Sequence, residues 1–227
     1  PDVLLNAAVS NAVNMPSISA EEAPVLQPFC LLAEQLGSFA GQWTETAISG
    51  IRIEYEGAVS EMNTKALTAA TLTGLMRPLL HDVNMVSAPI IVKERGMSVE
   101  EIHREQAGAY ENYIRLTVIT ERQERSVAGT VFADGRPRLI QVKGINMEAE
   151  LGAHMLYITN EDKPGFSGAI GMLLGDAGVN IATFHLGRKT QGKEAIALVE
   201  IDEEVSDEIL AKVKSLPHVQ QAQRLKF

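Results

Sequence analysis

A single cysteine, Cys30, in 227 residues leaves no partner for an intrachain disulfide. Its place in the apolar run Phe29-Cys30-Leu31-Leu32 suits a buried small hydrophobe rather than a reactive thiol, and a reducing, cytoplasmic setting fits that usage. No apolar run approaches the roughly 20 residues that span a bilayer, so no membrane partner is expected. Basic residues are in deficit. Twenty Lys and Arg against 29 Asp and Glu give a net charge of −9 and a pI near 5.1, which argues against a nucleic-acid partner. A targeting segment is absent from the start, and so is an initiating methionine. The chain opens Pro1-Asp2-Val3, as expected of a piece of a longer polypeptide.

Catalytic constellations are also wanting. No G-x-G-x-x-G follows a strand, and Gly165, Gly168 and Gly171 have a different spacing inside a helical pattern. The five histidines (His81, His103, His154, His185, His218) are scattered. None pairs with another at metal-ligand spacing, and no Ser/His/Asp order is legible. Neither a catalytic residue, a bound metal nor a cofactor is expected in this chain.

What is present is an ordinary globular composition, 45% hydrophobic and 22% charged, long enough for roughly two domains of ~100–200 residues. Residues 1–22 read as a short helix and an extended arm, broken at Met15-Pro16-Ser17. Phe29, Leu32, Leu36, Phe39 and Trp43 fall at helical spacing, with Pro28 suited to the first turn. Gly50–Gly57 alternates as a half-buried strand. Asn63 or Thr64 can cap a helix carrying Leu67, Ala70, Leu75 and Leu79. Val83–Val86 reads as a short strand, and Pro89–Arg95 as a short helix ended by Gly96. Tyr113–Thr120, Ser126–Phe132 and Arg138–Val142 read as strands, the last two flanking the tight-turn sequence Ala133-Asp134-Gly135-Arg136.

The C-terminal pattern is the most regular. Met155–Thr159 is a strand, followed by the polar loop Asn160–Lys163. Pro164 opens a helix with the apolar face Phe166, Ile170, Leu173 and Ala177, and Gly178 ends it. Asn180–Leu186 and Glu194–Ile201 are strands. Ser206 caps a second helix with acids in its first turn and lysines in its last, and Val219–Leu225 is the final strand. The order β-α-β-β-α-β predicts a ferredoxin-like unit. The fold class expected is α+β: a mixed-sheet domain at 23–150, then this unit at 151–227.

Two stretches, Asp162-Lys163-Pro164-Gly165 and Ala177-Gly178-Val179-Asn180-Ile181, resemble the ACT domain, a small-molecule-binding regulatory module. Asn11-Ala12-Val13-Asn14-Met15-Pro16 looks like the exit from the catalytic region of D-3-phosphoglycerate dehydrogenases. Gly50–Gly144 resembles the intervening, allosteric substrate-binding domain of the long form of that enzyme. The resemblance implies the non-catalytic, regulatory part of such an enzyme, with NAD held by a catalytic region outside this stretch. It also implies an amino-acid effector, L-serine or another small amino acid, bound between two ACT domains. Self-association would then run through the ACT domains, with the intervening domains possible contributors.

The expected effector residues are Asn160, Asp162, Gly165, Gly178 and Asn180. A helix N-terminus at Pro164–Gly165 attracts a carboxylate, and Gly165 permits close approach. Asp162 can pair with an ammonium, Asn180 can serve either end of a zwitterion, and Asn160 can reach a hydroxyl. Lys93, Arg95, Arg138 and Lys143 are candidate anion ligands if they converge; a solvated charged face is the alternative. Asn146-Met147-Glu148-Ala149-Glu150 stands where some relatives carry a basic residue. The competing reading of the whole is a structural oligomerisation module without an effector response, in which Asp162 and Asn180 merely finish turns.

Overall fold

The computed structural model describes residues 19, 21–105, 108 and 110–227; of the helix and arm expected in 1–22, all but residues 19, 21 and 22 lie outside them. The chain divides into two compact units, the first ending at Leu139 and the second spanning Ile140–Phe227.

The first unit begins with α1 (Ala23–Trp43), which starts five residues before the expected Pro28 because Pro24 occupies its first turn. Pro28 is the sixth residue of the helix, past the first turn, and supplies no N–H for the Pro24 carbonyl. Then come β1 (Ile48–Gly57), a short 3₁₀ turn (Ala58–Glu61), α2 (Thr64–Met76) and α3 (Ser87–Glu94). Asn63 caps α2, accepting from the Ala66 N–H at 3.3 Å. The α2 helix stops before Leu79, which is 44% exposed rather than part of the stripe. Val83–Val86 is not a strand. Asn84 Oδ1 accepts from the N–H groups of Val86 and Ser87, a side-chain turn that launches α3.

Strands β2 (Ser98–Arg104), β3 (Asn112–Thr120), β4 (Glu124–Val131) and β5 (Pro137–Val142), which runs past the end of the unit, complete a mixed sheet in the order β2-β1-β3-β4-β5; β6 (Ile145–Ala149) follows in the second unit. Here β2 runs parallel to β1 and β3 antiparallel to it. The Asp134-Gly135 turn joins β4 to β5, with Gly135 at φ +76° and Asp134 accepting from the Arg136 N–H. One face of β1, with Ile51, Ile53 and Tyr55, is fully buried. On the other, Arg52 pairs with Glu100, and Glu54 lies between Arg104 and Arg115.

The second unit carries β7 (His154–Glu161), α4 (Phe166–Asp176), β8 (Ile181–Arg188), β9 (Glu194–Ile201), α5 (Asp207–Lys214) and β10 (Val219–Lys226), with sheet order β10-β7-β9-β8. All pairings are antiparallel, so β7 and β8 run in the same direction. This is the expected ferredoxin-like unit. Leu156, Ile158, Ala197, Val199 and Ile201 form one core with Phe166, Ile170, Leu174 and Val213. Leu174 takes the central place expected of Leu173, and Ala177 is exposed.

Helices α1 and α2 approach unusually closely. A Cβ on Gly37 would lie 2.1 Å from the Thr71 carbonyl oxygen, and one on Gly74 would lie 2.0 Å from that of Glu34. Backbone on both sides leaves no flexible atom to yield. Gly74→Ala should therefore destabilise the first unit by about 1–3 kcal/mol. Gly175→Ala, on α4 with nothing within 4 Å, should be neutral or stabilise by up to ~1 kcal/mol. Urea unfolding of both variants checks the contrast, and equal effects would refute it.

Candidate functional site

The C-terminal end of β7 and the N-terminus of α4 meet the β8–β9 hairpin. The Asp162 backbone N–H donates to the Lys193 carbonyl at 2.7 Å. Its carboxylate Oδ2 accepts from the Gly192 N–H at 3.0 Å and from Arg188 Nη1 at 2.7 Å. The Gly192 N–H, and after it the Arg188 guanidinium, hold the Asp162 carboxyl below the usual carboxylate range. Two residues on, Pro164 and Gly165 turn the chain into α4. Gly165 sits at φ +97° as the residue before the helix, and no side chain caps it. The Ala169 N–H is bonded back to the Gly165 carbonyl, so the donors of the first turn face outward.

Alternation along β7 puts Asn160 on the same face as Leu156 and Ile158, beneath the helices. It is 2% exposed. Its Nδ2 donates to the Glu161 carbonyl at 2.8 Å, while its Oδ1 is buried without a partner. Such an acceptor is uncommon and calls for a donor. The residues Asn160, Ala195 and Arg188 stand opposite one another across β7, β9 and β8, on one face.

Within one chain Asn180 does not lie beside the same loop. It precedes β8 and donates through Nδ2 to Asp202 Oδ2 at 2.9 Å, at the far end of β9. Asp162 lies at the near end, beside Lys193. The eight residues of β9 span roughly 25 Å, because α4 carries the chain back to the start of β7 before β8 begins. Gly178, at φ +75°, ends α4 at that distant end. One chain thus groups Asn160, Asp162 and Gly165, and separates them from Gly178 and Asn180.

The candidate anion ligands of the first unit, Lys93, Arg95 and Arg138, do not converge. Arg138, on β5, pairs with Asp134 at 3.1 Å and lies over the Phe132 ring. Lys93 and Arg95 end α3, next to β2 at the opposite edge of the sheet, four strand spacings or roughly 19 Å away. Lys143, in the second unit, pairs with Glu194. Burial and the nearby Glu34 push the Cys30 thiol up to about 11, so it stays protonated at neutral pH. Among the described residues no group of His, Cys, Asp or Glu is placed to hold a metal.

Arg188 and Gly192 were not singled out in the sequence. Their link to Asp162 crosses 26 and 30 residues, and the only local signal is an arginine at a strand end before a glycine-containing turn.

Residues 25–143 match the family described as the D-3-phosphoglycerate dehydrogenase intervening domain, and residues 154–218 match the ACT domain. The chain belongs to the D-3-phosphoglycerate dehydrogenase family. It is 31% identical to D-3-phosphoglycerate dehydrogenase of Bacillus subtilis over 93% of this chain and 40% of that protein. Against the enzyme of the same name from Methanocaldococcus jannaschii the figures are 33%, 96% and 41%. Against the chloroplastic D-3-phosphoglycerate dehydrogenase 3 of Arabidopsis thaliana they are 28%, 96% and 40%. The chain spans about two fifths of the length of these dehydrogenases.

In this dehydrogenase ACT domain, Asp162 fastens the β8–β9 hairpin. Because its folded pKa is lowered, the stabilisation is present above the ordinary carboxylate pKa near ~3.9 and is lost as pH falls through the lowered value. An NMR titration should place the Asp162 midpoint below ~3.9. Asp162→Ala should speed amide exchange at Gly192 while leaving α1 and α2 unchanged. Unaltered protection at Gly192 would remove Asp162 as the hairpin's anchor.

Proposed function

We propose that this chain is the regulatory, non-catalytic part of a D-3-phosphoglycerate dehydrogenase, and that its ACT domain binds a small amino acid, L-serine, between two copies of the chain. Oxidation of the phosphorylated substrate with NAD belongs to a catalytic region outside these residues, in a cytoplasmic enzyme. Serine, the end product of the route that such an enzyme enters, would bias the catalytic regions through its differential affinity for their arrangements.

The observation that carries this reading is the placement of Asp162 and Asn180 at opposite ends of one sheet, of whose two edge strands β8 is the one next to both. When two β8 edges pair antiparallel about a two-fold axis, the Arg188 end of one strand meets the Ile181 end of the other. Asp162 of one chain then faces Asn180 of its partner. Leu186 on β8 is 47% exposed and Met172 on α4 is 71% exposed, apolar surface that such pairing would cover.

A structural module without an effector is the second reading, and one contact favours it: Arg188 and Gly192 already occupy Asp162 Oδ2. Calorimetry on the 227-residue chain separates the two. L-Serine should release heat at two sites per dimer. Asp162→Ala and Asn180→Ala should each weaken binding about 10–100-fold, the effect of removing a hydrogen bond to a charged group. Mixing the two variants should restore one full-affinity site per mixed dimer, since one interface regains both residues. A dimer that gives no heat with serine, glycine or other small amino acids would leave only the structural module.

A further inference from the structure

Resting on the effector reading above, we propose that Arg188 is the specificity-determining residue of the ACT site. It receives the ligand's carboxylate as the ligand's ammonium takes over Asp162. The internal Asp162–Arg188 ion pair occupies the place of an α-amino acid zwitterion and is opened by one.

Three features at the end of β7 converge on this. The first is the uneven use of Asp162: both its hydrogen bonds fall on Oδ2, leaving Oδ1 without a donor. The second is Asn160. It is 2% exposed, on the face that Arg188 shares across β9, and its Oδ1 is buried with no partner. Two acceptors thus stand two residues apart on one strand end, and an ammonium has three N–H donors. The third is Arg188 itself. Its side chain is 54% exposed against 15% for Asp162, and only Nη1 donates to the carboxylate. The remaining guanidinium donors form a fork that fits a second carboxylate bidentately.

The exchange conserves charge. An ammonium replaces a guanidinium at Asp162, and a ligand carboxylate replaces Asp162 at Arg188, so no ion is left buried and unpaired. The free N–H groups at the start of α4 lie beside the same loop and add to the field that draws the carboxylate. The ligand class follows: α-amino acids with both termini free, small enough to sit at the helix entrance. Amines without a carboxylate gain Asp162 yet leave Arg188 without its partner, and bind more weakly on that account.

Calorimetry on the full chain with L-serine and with ethanolamine, which keeps the ammonium and hydroxyl and lacks the carboxylate, tests the proposal. The unmodified chain should prefer serine by about tenfold or more, the factor of one charge-assisted bond. Arg188→Gln should lose that preference, serine falling about tenfold and ethanolamine holding or improving. Arg188→Lys, a point charge without the fork, should fall between. Thermal unfolding of each variant confirms that the exposed substitution leaves the fold intact. If the unmodified chain binds serine and Arg188→Gln binds it equally or more tightly, Arg188 is only an internal competitor for Asp162 and the proposal fails. An unchanged serine-to-ethanolamine ratio in Arg188→Gln sinks it as well. Absence of heat with every amino acid in the unmodified chain removes the effector site itself, a different pattern from either.

Discussion

Strands β7 and β8 run in the same direction because a helix joins them, and that helix must return the chain to where β7 began. The eleven residues of α4 cover roughly 16 Å at 1.5 Å each, and the two loops flanking it supply the remainder. β9 then inserts between the two strands, antiparallel to both. From this single constraint follow the burial of β9, the edge position of β8, and the separation of Asp162 from Asn180. The helix is oriented by the same geometry: its N-terminus lies by Asp162 and its C-terminus by Asn180. Anions are favoured at the first end only.

The charged residues of the two units are used differently. On the first-unit sheet, Glu54 is 8% exposed and lies between Arg104 and Arg115. There the arginines offset the desolvation of a nearly buried carboxylate, and removing both would leave an unpaired charge. Arg138 is similarly committed to Asp134 and the Phe132 ring. Arg188 is half exposed and holds Asp162 by one nitrogen. Pairs near solvent carry little net stability, so exchanging this one for a ligand costs the fold little. Under the proposed function, a site both preformed and exchangeable is served by such a pair. The buried Glu54 cluster could not act in that way.

Much of the fold was legible because local chemistry and packing agreed. Ser206 and its neighbours Asp207, Glu208, Lys212 and Lys214 mark α5 without any tertiary information. The Asp134-Gly135 turn marks its hairpin equally well. Elsewhere the two diverged. Val83–Val86 has the composition of a strand, but Asn84 bonds the next backbone N–H groups and bends the chain into α3. The reverse happened at β2: Ser98–Arg104 is exposed at six of its seven positions, so no alternation of burial could appear in its sequence. Its existence depends on the unpaired edge of β1. For the candidate site, the grouping of Asn160, Asp162 and Gly165 was legible from their position around a helix start. Arg188 was not, because it meets them only through the register of two intervening strand pairings.

Under the proposed arrangement the ligand lies between chains, and this ties binding to assembly. A ligand that contacts Asp162 of one chain and Asn180 of another favours the dimer by the same factor by which the dimer favours the ligand. The Asp162–Arg188 pair sets the starting point of that equilibrium. In the free chain it fastens the hairpin at the end of β8, the strand that would form the interface. When a zwitterion opens the pair, both of its charges acquire new partners at the junction of two subunits. The occupied state then differs from the empty one at the edge strand itself, where a change in one chain must be matched by its symmetry mate. A bistable contact of this kind can pass a local exchange of ion pairs from one chain to the other, with no rearrangement of the ACT-domain core.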